Sequence, residues 1–352
     1  MEEKIRVGIT LGDYNGVGAE VILKVLQDER IYKFCDIVIY GNKSILNFYA
    51  KTLKLAHIQW TEIKNFEKLN PKSANVFQCW EEQVNITPGE STTDAGIKSL
   101  LALNQGINDL MENNIQALVT GPVNKSNIAE TQANFKGQTE LIAEKVGSES
   151  SMMFLVSPSI KIGLMSNHLS IKEVPQALDI SAIIQKTEMM IKSLKEDFMI
   201  VKPKVAILGL NPHSGDNGLI GKEEKEIIAP AVDKLKGKGH ICLGPFAADG
   251  FFGAGLYRQF DGVLAMYHDQ GLIPFKTIAF EDGVNFTAGI NVVRTSPDHG
   301  TAYDIAGKGD ASPDSMRAAI FEAIAIYKNR QVYKEMTANP IERLKLSEDN
   351  DA

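Results

Sequence analysis

Three of the six histidines stand at the same kind of place along the chain. KIGLM runs into SNH and ends at His168, VAILGL runs into NPH and ends at His213, and VLAMY runs directly into His268. Each follows a short apolar run bounded by turn residues, which is the pattern of a buried strand. In an open parallel sheet the residues just past the carboxyl ends of the strands line one crevice. Three neutral imidazoles converging there, with one coordination position left open, would hold a catalytic divalent metal acting as a Lewis acid. A lone histidine after a strand is more often a hydrogen-bonding loop residue; the threefold repetition carries the metal reading, because no short H-E-x-x-H spacing is present. His57 and His240 fall in loops or helix ends and read as ordinary surface residues.

A second set of groups lies between Asp269 and Asp304, where Asp269, Lys276, Asn285, Arg294, Ser296, Asp298, His299 and Thr301 are spread among short apolar runs. Lys276 follows IPF and Arg294 follows NVV. A cation held against a buried crevice needs an anion to offset its desolvation. Arg suits the bidentate grip of a carboxylate or phosphate, and Lys serves as a point charge. Upstream, VTGPVNKS ends an apolar run at Thr120 and Gly121 and places Lys125 at a helix start. GQTE follows, in which Thr139 is placed to cap a helix and to offer its hydroxyl to an anion.

The opening VGITLGDYNGVGAEVILKVL has the layout of a nucleotide loop, a strand ending in glycines that open a helix. Its spacing is wrong. Gly12, Gly16 and Gly18 give G-x-x-x-G-x-G, neither the dinucleotide G-x-G-x-x-G nor a phosphate loop ending in Gly-Lys-Ser/Thr. The stretch reads as a tight strand-to-helix turn, with Asp13 and Asn15 as the residues there to test.

The elements that must position these groups are short apolar runs (IRVGIT, DIVIYG, QALVTG, MMFLVS, KIGLMS, KVAILGL, GVLAMY) alternating with helical patterns. The helices read as Ala19 to Leu26, Asp94 to Met111, Thr139 to Val146, Ile180 to Leu194 and Lys222 to Leu235, with a last one opened by Ser312-Pro313-Asp314. This is an α/β protein with a largely parallel sheet. The segment from Asn65 to Ile86 has weaker periodicity and reads as an excursion from it. At 352 residues the chain has room for about two domains. They are placed at 1–135 plus 303–352 and at 136–302, with a boundary near Phe135 to Gly137. The second carries most metal and substrate residues. A formal charge of -7 argues against a nucleic-acid partner. No run approaches the ~18 apolar residues of a membrane span, and MEEKIRVGIT lacks the features of a signal peptide. Cys35, Cys79 and Cys242 fit neither a disulfide framework nor a Cys-x-x-Cys site. A cytoplasmic protein with a polar, disordered end LSEDNDA is expected.

Taken together, the SNH segment, GLNPHSGDNGLIG, AMYHDQGLIPFK and GVNFTAGINVVRTSPDHGTAYDIAGKG resemble the 4-hydroxythreonine-4-phosphate dehydrogenases of pyridoxal phosphate biosynthesis. VTGPVNK and GDYNGVGAE extend the likeness over nearly the whole chain. The resemblance implies two α/β/α domains with the active site in a cleft between them, similar to isocitrate and isopropylmalate dehydrogenases and not a classical Rossmann fold. It implies oxidation of the secondary alcohol of 4-phosphohydroxy-L-threonine by NAD or NADP, then decarboxylation to 3-amino-2-oxopropyl phosphate. One divalent metal (Zn, Mg, Mn or Co) is implied at His168, His213 and His268, in a site shared between the subunits of a homodimer. Gln138, Thr139, Lys276, Asn285 and Arg294 fall at the substrate contacts. In the absence of a Rossmann fingerprint, the cofactor is placed at Ser296, Asp298, His299 and Thr301. Lys276, Asp249 and Asp269 make up the catalytic set, the two aspartates as groups that orient imidazoles.

One departure bears on the substrate. The family motif usually reads Gly-His-Thr-Glu, and here Gln138 stands at the histidine position. A sister dehydrogenase acting on 4-phosphoerythronate or 4-phosphothreonate therefore stays open. So do a metal-dependent hydrolase, which would need no nicotinamide, and a silent relative that binds a phosphorylated metabolite without turnover.

Overall fold

The computed structural model describes residues 4–55 and 57–340, and LSEDNDA lies outside the described residues. Strands β1 (Ile5–Thr10), β2 (Cys35–Gly41), β3 (Trp60–Ile63), β4 (Ala74–Gln78), β5 (Ala117–Thr120) and β6 (Met152–Val156) are followed by β7 (Lys161–Leu164), β8 (Lys204–Leu208), β9 (Ile241–Phe246), β10 (Gly262–Ala265), β11 (Val284–Ala288) and β12 (Arg294–Pro297). All twelve join one sheet in the order β3-β4-β2-β1-β5-β12-β11-β6-β7-β10-β8-β9. This is an α/β fold, and its order is not the 3-2-1-4-5-6 of a Rossmann sheet. Ile37, Val38, Ile39 and Tyr40 are consecutive and fully buried, so the sheet is covered on both faces at β2.

The expected parallel sheet is interrupted at its middle. β11 runs antiparallel to β12 and β6, and β6 antiparallel to β7. Only short connections, residues 157–160 and 289–293, separate β6 from β7 and β11 from β12, and a parallel crossover needs a dozen or more residues. Two hairpins therefore reverse the chain at the centre, while the remaining pairs are parallel. The domain division expected from the sequence runs between β5 and β12 of this continuous sheet.

The helices are α1 (Gly18–Leu26), α2 (Lys43–Thr52), α3 (Thr93–Met111), α4 (Lys125–Ala129), α5 (Gln138–Lys145), α6 (Ile180–Glu196), α7 (Ala229–Gly237), α8 (Ala248–Gly253), α9 (His268–Ile278) and α10 (Asp314–Thr337). The α10 start follows its sequence signal: Ser312 Oγ accepts from Asp314 N at 3.2 Å. α10 lies over β5, β11 and β12. Three expectations need correction. Asn65 to Ile86 is no excursion, since β4 within it pairs with β2 inside the sheet. The single helix expected over Lys222 to Leu235 begins as a π-helical turn, Glu224–Ile228, before α7. HDQGLIPFKTI, read as loop and apolar pieces, is the helix α9 despite Gly271 and Pro274. No helix among the described residues is long and apolar enough to cross a membrane.

Candidate active site

A cleft of about 350 Å³ opens at the middle of the sheet, and it gathers ten of the sequence-predicted residues. These are Gln138, Thr139, His168, His268, Lys276, Asn285, Arg294, Ser296, Asp298 and His299. Thr120, Lys125, Glu140 and Asn167 complete the polar lining and were not assigned as site residues from the sequence. Most of these groups sit just past strands β5, β7, β10 and β12, or on the helices α4, α5 and α9 that those strands lead into.

Arg294 dominates the charge of the cleft. It is 3 % exposed, at the first position of β12. Its Nε and Nη2 donate to Thr120 Oγ1 at 3.1 and 2.6 Å, and its Nη1 donates to Thr139 and Thr287 Oγ1, both at 3.2 Å. Three neutral hydroxyls thus fix the guanidinium in place. No carboxylate among the described residues pairs with it. Burial pushes its pKa down to about 10, opposed by the charge of Glu140, so it remains a cation at neutral pH. A buried cation with neutral partners alone is unfavourable unless an anion joins it. Thr139 is therefore not the cap of α5. That position belongs to Gly137, which carries no side-chain cap, and the Thr139 hydroxyl serves Arg294 instead.

Opposite lies a second cation. Lys276, on α9, is 3.8 Å from Asp298 Oδ2 and donates to Asp298 O at 3.5 Å. Burial raises the Asp298 carboxyl above its ordinary value, with Lys276 and His268 opposing. Three buried polar atoms of the lining have no partner: Gln138 Oε1, Asn285 Oδ1 and His299 Nε2. The Gln138 orientation follows from chemistry, because Gly121 O can only accept, and so the amide nitrogen faces it at 3.1 Å. His299 Nδ1 likewise donates to Gly300 O at 3.0 Å, which leaves Nε2 with a bare lone pair. Burial holds the His299 pKa below 6.5. The cleft is thus lined by three cationic side chains, Arg294, Lys276 and Lys125, and by three residues that each keep a buried acceptor atom without a partner.

The imidazoles divide. His268 Nδ1 donates to Asp269 Oδ1 at 2.7 Å, leaving Nε2 free, the tautomer and orientation that suit a metal ligand. Lys125 Nζ lies 3.3 Å from His168 Nε2, and His168 Nδ1 is 3.4 Å from Glu140 Oε1. The hydrogen bond from His168 holds the Glu140 carboxyl below its ordinary value. Strands β7, β10 and β8 are neighbours and parallel, so the three histidines do leave the same edge of the sheet. His213, however, is exposed on a turn outside the cleft lining. Among the described residues of one chain, no three His, Cys, Asp or Glu side chains gather as a metal site. One chain brings two of the three strand-end imidazoles, His168 and His268, to the cleft.

Two further expectations are corrected. Asp249 lies on α8 in a neighbouring, mainly apolar pocket with Asp269, and no hydrogen bond among the described residues joins it to an imidazole. Thr301 is outside the cleft lining and packs on the opening glycine loop, where its carbonyl accepts from Val17 N at 3.0 Å. That loop holds the chain itself. A Cβ on Gly12 would lie 2.3 Å from Pro122 O, on Gly16 2.8 Å from Thr301 O, and on Gly18 2.1 Å from Leu11 O. Asp13 is fully buried beneath it and accepts from Asn15 N at 2.9 Å, Asn127 Nδ2 at 2.8 Å and Tyr303 Oη at 2.7 Å. Asp13→Ala leaves these donors without an acceptor and is expected to lower stability by about 2–4 kcal/mol. Urea unfolding checks this; an unchanged midpoint would refute the stapling role.

Comparison with known proteins shows the family. Residues 33–323 match the family described as "Pyridoxal phosphate biosynthetic protein PdxA". The chain is 44% identical to the 4-hydroxythreonine-4-phosphate dehydrogenase of Bacteroides thetaiotaomicron over 343 residues, 97% of this chain and 94% of that one. It is 38% identical to the protein of the same name from Sulfurihydrogenibium sp., covering 93% of this chain and 100% of the other. The crystal structure of 4-hydroxythreonine-4-phosphate dehydrogenase from Klebsiella pneumoniae superposes with a TM-score of 0.78 at 32% identity, over 93% of this chain and 98% of that one.

Proposed function

This chain belongs to the pyridoxal phosphate biosynthetic protein PdxA family, and from that premise we propose that it oxidises and decarboxylates 4-phosphohydroxy-L-threonine with NAD or NADP. The observation that carries the reading is Arg294, a buried cation held by three threonine hydroxyls with no carboxylate partner, in a cleft that also presents Lys276. Such a pair suits a small substrate bearing both phosphate and carboxylate. Arg294, Lys276, Thr139 and Asn285 bind its anionic ends and set the carbinol carbon toward the nicotinamide. Ser296, Asp298 and His299, which line the same cleft, are the residues that would hold the cofactor. A nicotinamide, when bound, would supply the hydride acceptor for the carbinol carbon, and the hydroxyl proton passes to a base. The resulting β-keto acid then loses carbon dioxide, its bonding electrons forming an enolate that is protonated to the aminoketone phosphate.

His168 and His268, with His213 of a second copy of the chain, would hold one divalent metal, which when bound polarises the alcohol oxygen and stabilises the enolate. The reading therefore includes a homodimer with shared sites. Asp269 keeps the His268 Nε2 lone pair turned outward, while Glu140 faces His168 Nδ1 and Lys125 Nζ lies beside His168 Nε2, a contact that metal binding would have to displace.

His299 supplies the proton acceptor in this reading, because its Nε2 is neutral and unpartnered. Protonation removes that acceptor, so kcat/KM is expected to fall on the acid side with a midpoint below the ordinary histidine value of 6.5. His299→Gln keeps an acceptor that does not titrate. It should lower kcat/KM by about 10²-fold or more and flatten the acid limb; a limb that survives unchanged assigns it to another group.

The decisive assay follows reduced nicotinamide by absorbance with purified protein, a divalent metal, 4-phosphohydroxy-L-threonine and either cofactor. Turnover is expected, and its absence overturns the assignment. Gln138 favours a second reading. Its buried acceptor oxygen has no partner, in a residue of the cleft lining where the family's usual histidine could carry a charge, which fits the sister substrates 4-phosphoerythronate or 4-phosphothreonate. Turnover of those compounds in place of the amino acid moves the assignment to them.

A further inference from the structure

His213 opens the longest run of left-handed backbone among the described residues. From His213 to Asn217 five consecutive residues are left-handed, with φ of 53°, 51°, 77°, 42° and 55°, and only Gly215 among them is a glycine. L-residues adopt this conformation at a cost, and such runs persist only where the surroundings over-determine them. Burial is not the reason, because His213, Asp216 and Asn217 are exposed.

A carboxylate from the following element holds the chain where it enters this run. Glu224, 4 % exposed, opens the π-helical turn Glu224–Ile228. Its Oε1 accepts from Leu210 N at 2.7 Å and Asn211 N at 2.6 Å, and its Oε2 accepts from Asn211 Nδ2 at 3.0 Å. The turn wraps closely around that carboxylate. A Cβ on Gly215 would lie 2.5 Å from Glu224 Oε2, and one on Gly209 3.1 Å from Oε1. Two further bonds hold this part of the chain: Ser214 Oγ donates to Pro245 O at 3.1 Å, and Gln270 Nε2, on α9 with His268, donates to Gly209 O, ahead of the run, at 2.7 Å. No cation among the described residues pairs with Glu224, so backbone and amide N–H groups alone answer its charge.

We propose that Glu224 is the positioning residue of His213, its buried carboxylate clamping Leu210 and Asn211 at the entry to the left-handed turn and packing against Gly215 within it, so that the turn presents the imidazole outward from the chain. This rests on the reading of His213 as the ligand given to a second copy's metal site. π-turns are frequent at functional sites, where the extra residue re-aims a side chain; here the turn carries the carboxylate under the strained segment.

The test uses full-length protein freed of metal by a chelator and titrated with Co²⁺, read by the visible absorption of the imidazole-bound ion, with thermal unfolding and light scattering alongside. Glu224→Ala is expected to weaken Co²⁺ binding by about 10–100-fold while the protein stays folded and its oligomeric state is unchanged. Glu224→Asp, whose carboxylate is drawn back by one methylene, should weaken it less. If Glu224→Ala fails to fold, Glu224→Asp carries the test. Wild-type affinity in the folded Glu224 variants, together with lost affinity in His213→Ala, overturns the positioning role and reduces Glu224 to a structural residue. Wild-type affinity in His213→Ala overturns the reading of His213 itself, and the inference with it.

Discussion

Arg294→Met is expected to lower kcat/KM by about 10³-fold, with the protein still folded. The argument rests on what surrounds the guanidinium. Thr120, Thr139 and Thr287 come from three elements and orient it, but being neutral they cannot balance it. In the proposed reading the substrate anion supplies that balance. Truncating one partner of a buried hydrogen-bonded charge pair costs about 2–5 kcal/mol, which spans the predicted loss. Met matches the aliphatic length and removes the charge, and exchanging a buried charge for an apolar group of similar volume is often neutral for stability. Thermal unfolding without ligand should therefore shift little, while the rise in melting temperature that substrate gives the wild type should vanish. Arg294→Lys should not rescue, because an ammonium cannot span three hydroxyls and an anion from one fixed plane. Activity within threefold of wild type in Arg294→Met would remove the observation on which the functional reading depends.

The sequence made the cations legible but not their setting. Lys276 and Arg294 are marked by the apolar runs before them, yet Arg294's partner Thr120 is 174 residues away, brought beside it by the parallel pairing of β12 with β5. Pairing across the sheet leaves no local trace in composition. The helix α9 was hidden for another reason. Gly271 and Pro274 speak against a helix, but a Cβ on Gly271 would come within 2.6 Å of Leu164, so the glycine serves close packing of the helix on β7. Tertiary packing overrides propensity there. The glycine loop shows the reverse case, where the spacing alone told against a nucleotide site and the glycines prove to admit the chain's own backbone. The short connections around β6, β7, β11 and β12 were a readable signal of hairpins, and the alternation of strands and helices elsewhere masked it.

The strand-end histidines were placed on one sheet edge correctly, and their separation in the fold sets up the second large expected effect. His168 and His268 line the cleft, whereas His213 faces outward on its turn. If each site takes its cleft from one chain and His213 from another, defects in the two parts must complement. His213→Ala and Arg294→Met are each expected to be nearly inactive alone. Mixed, dissociated and reassembled at equal amounts, they should recover about a quarter of wild-type activity, since about half of randomly formed dimers are mixed and each holds one intact site of two. That intact site combines the cleft of the His213→Ala chain with the histidine of the Arg294→Met chain. Two defects within one cleft cannot complement in this way, so Lys276→Met mixed with Arg294→Met should recover almost nothing: a mixed dimer then has one defect in each site. Recovery in the first mixture and not in the second locates His213 across the interface. Failure of both, with mixed dimers verified by mass spectrometry, would mean that His213 serves its own chain or takes no part in the reaction.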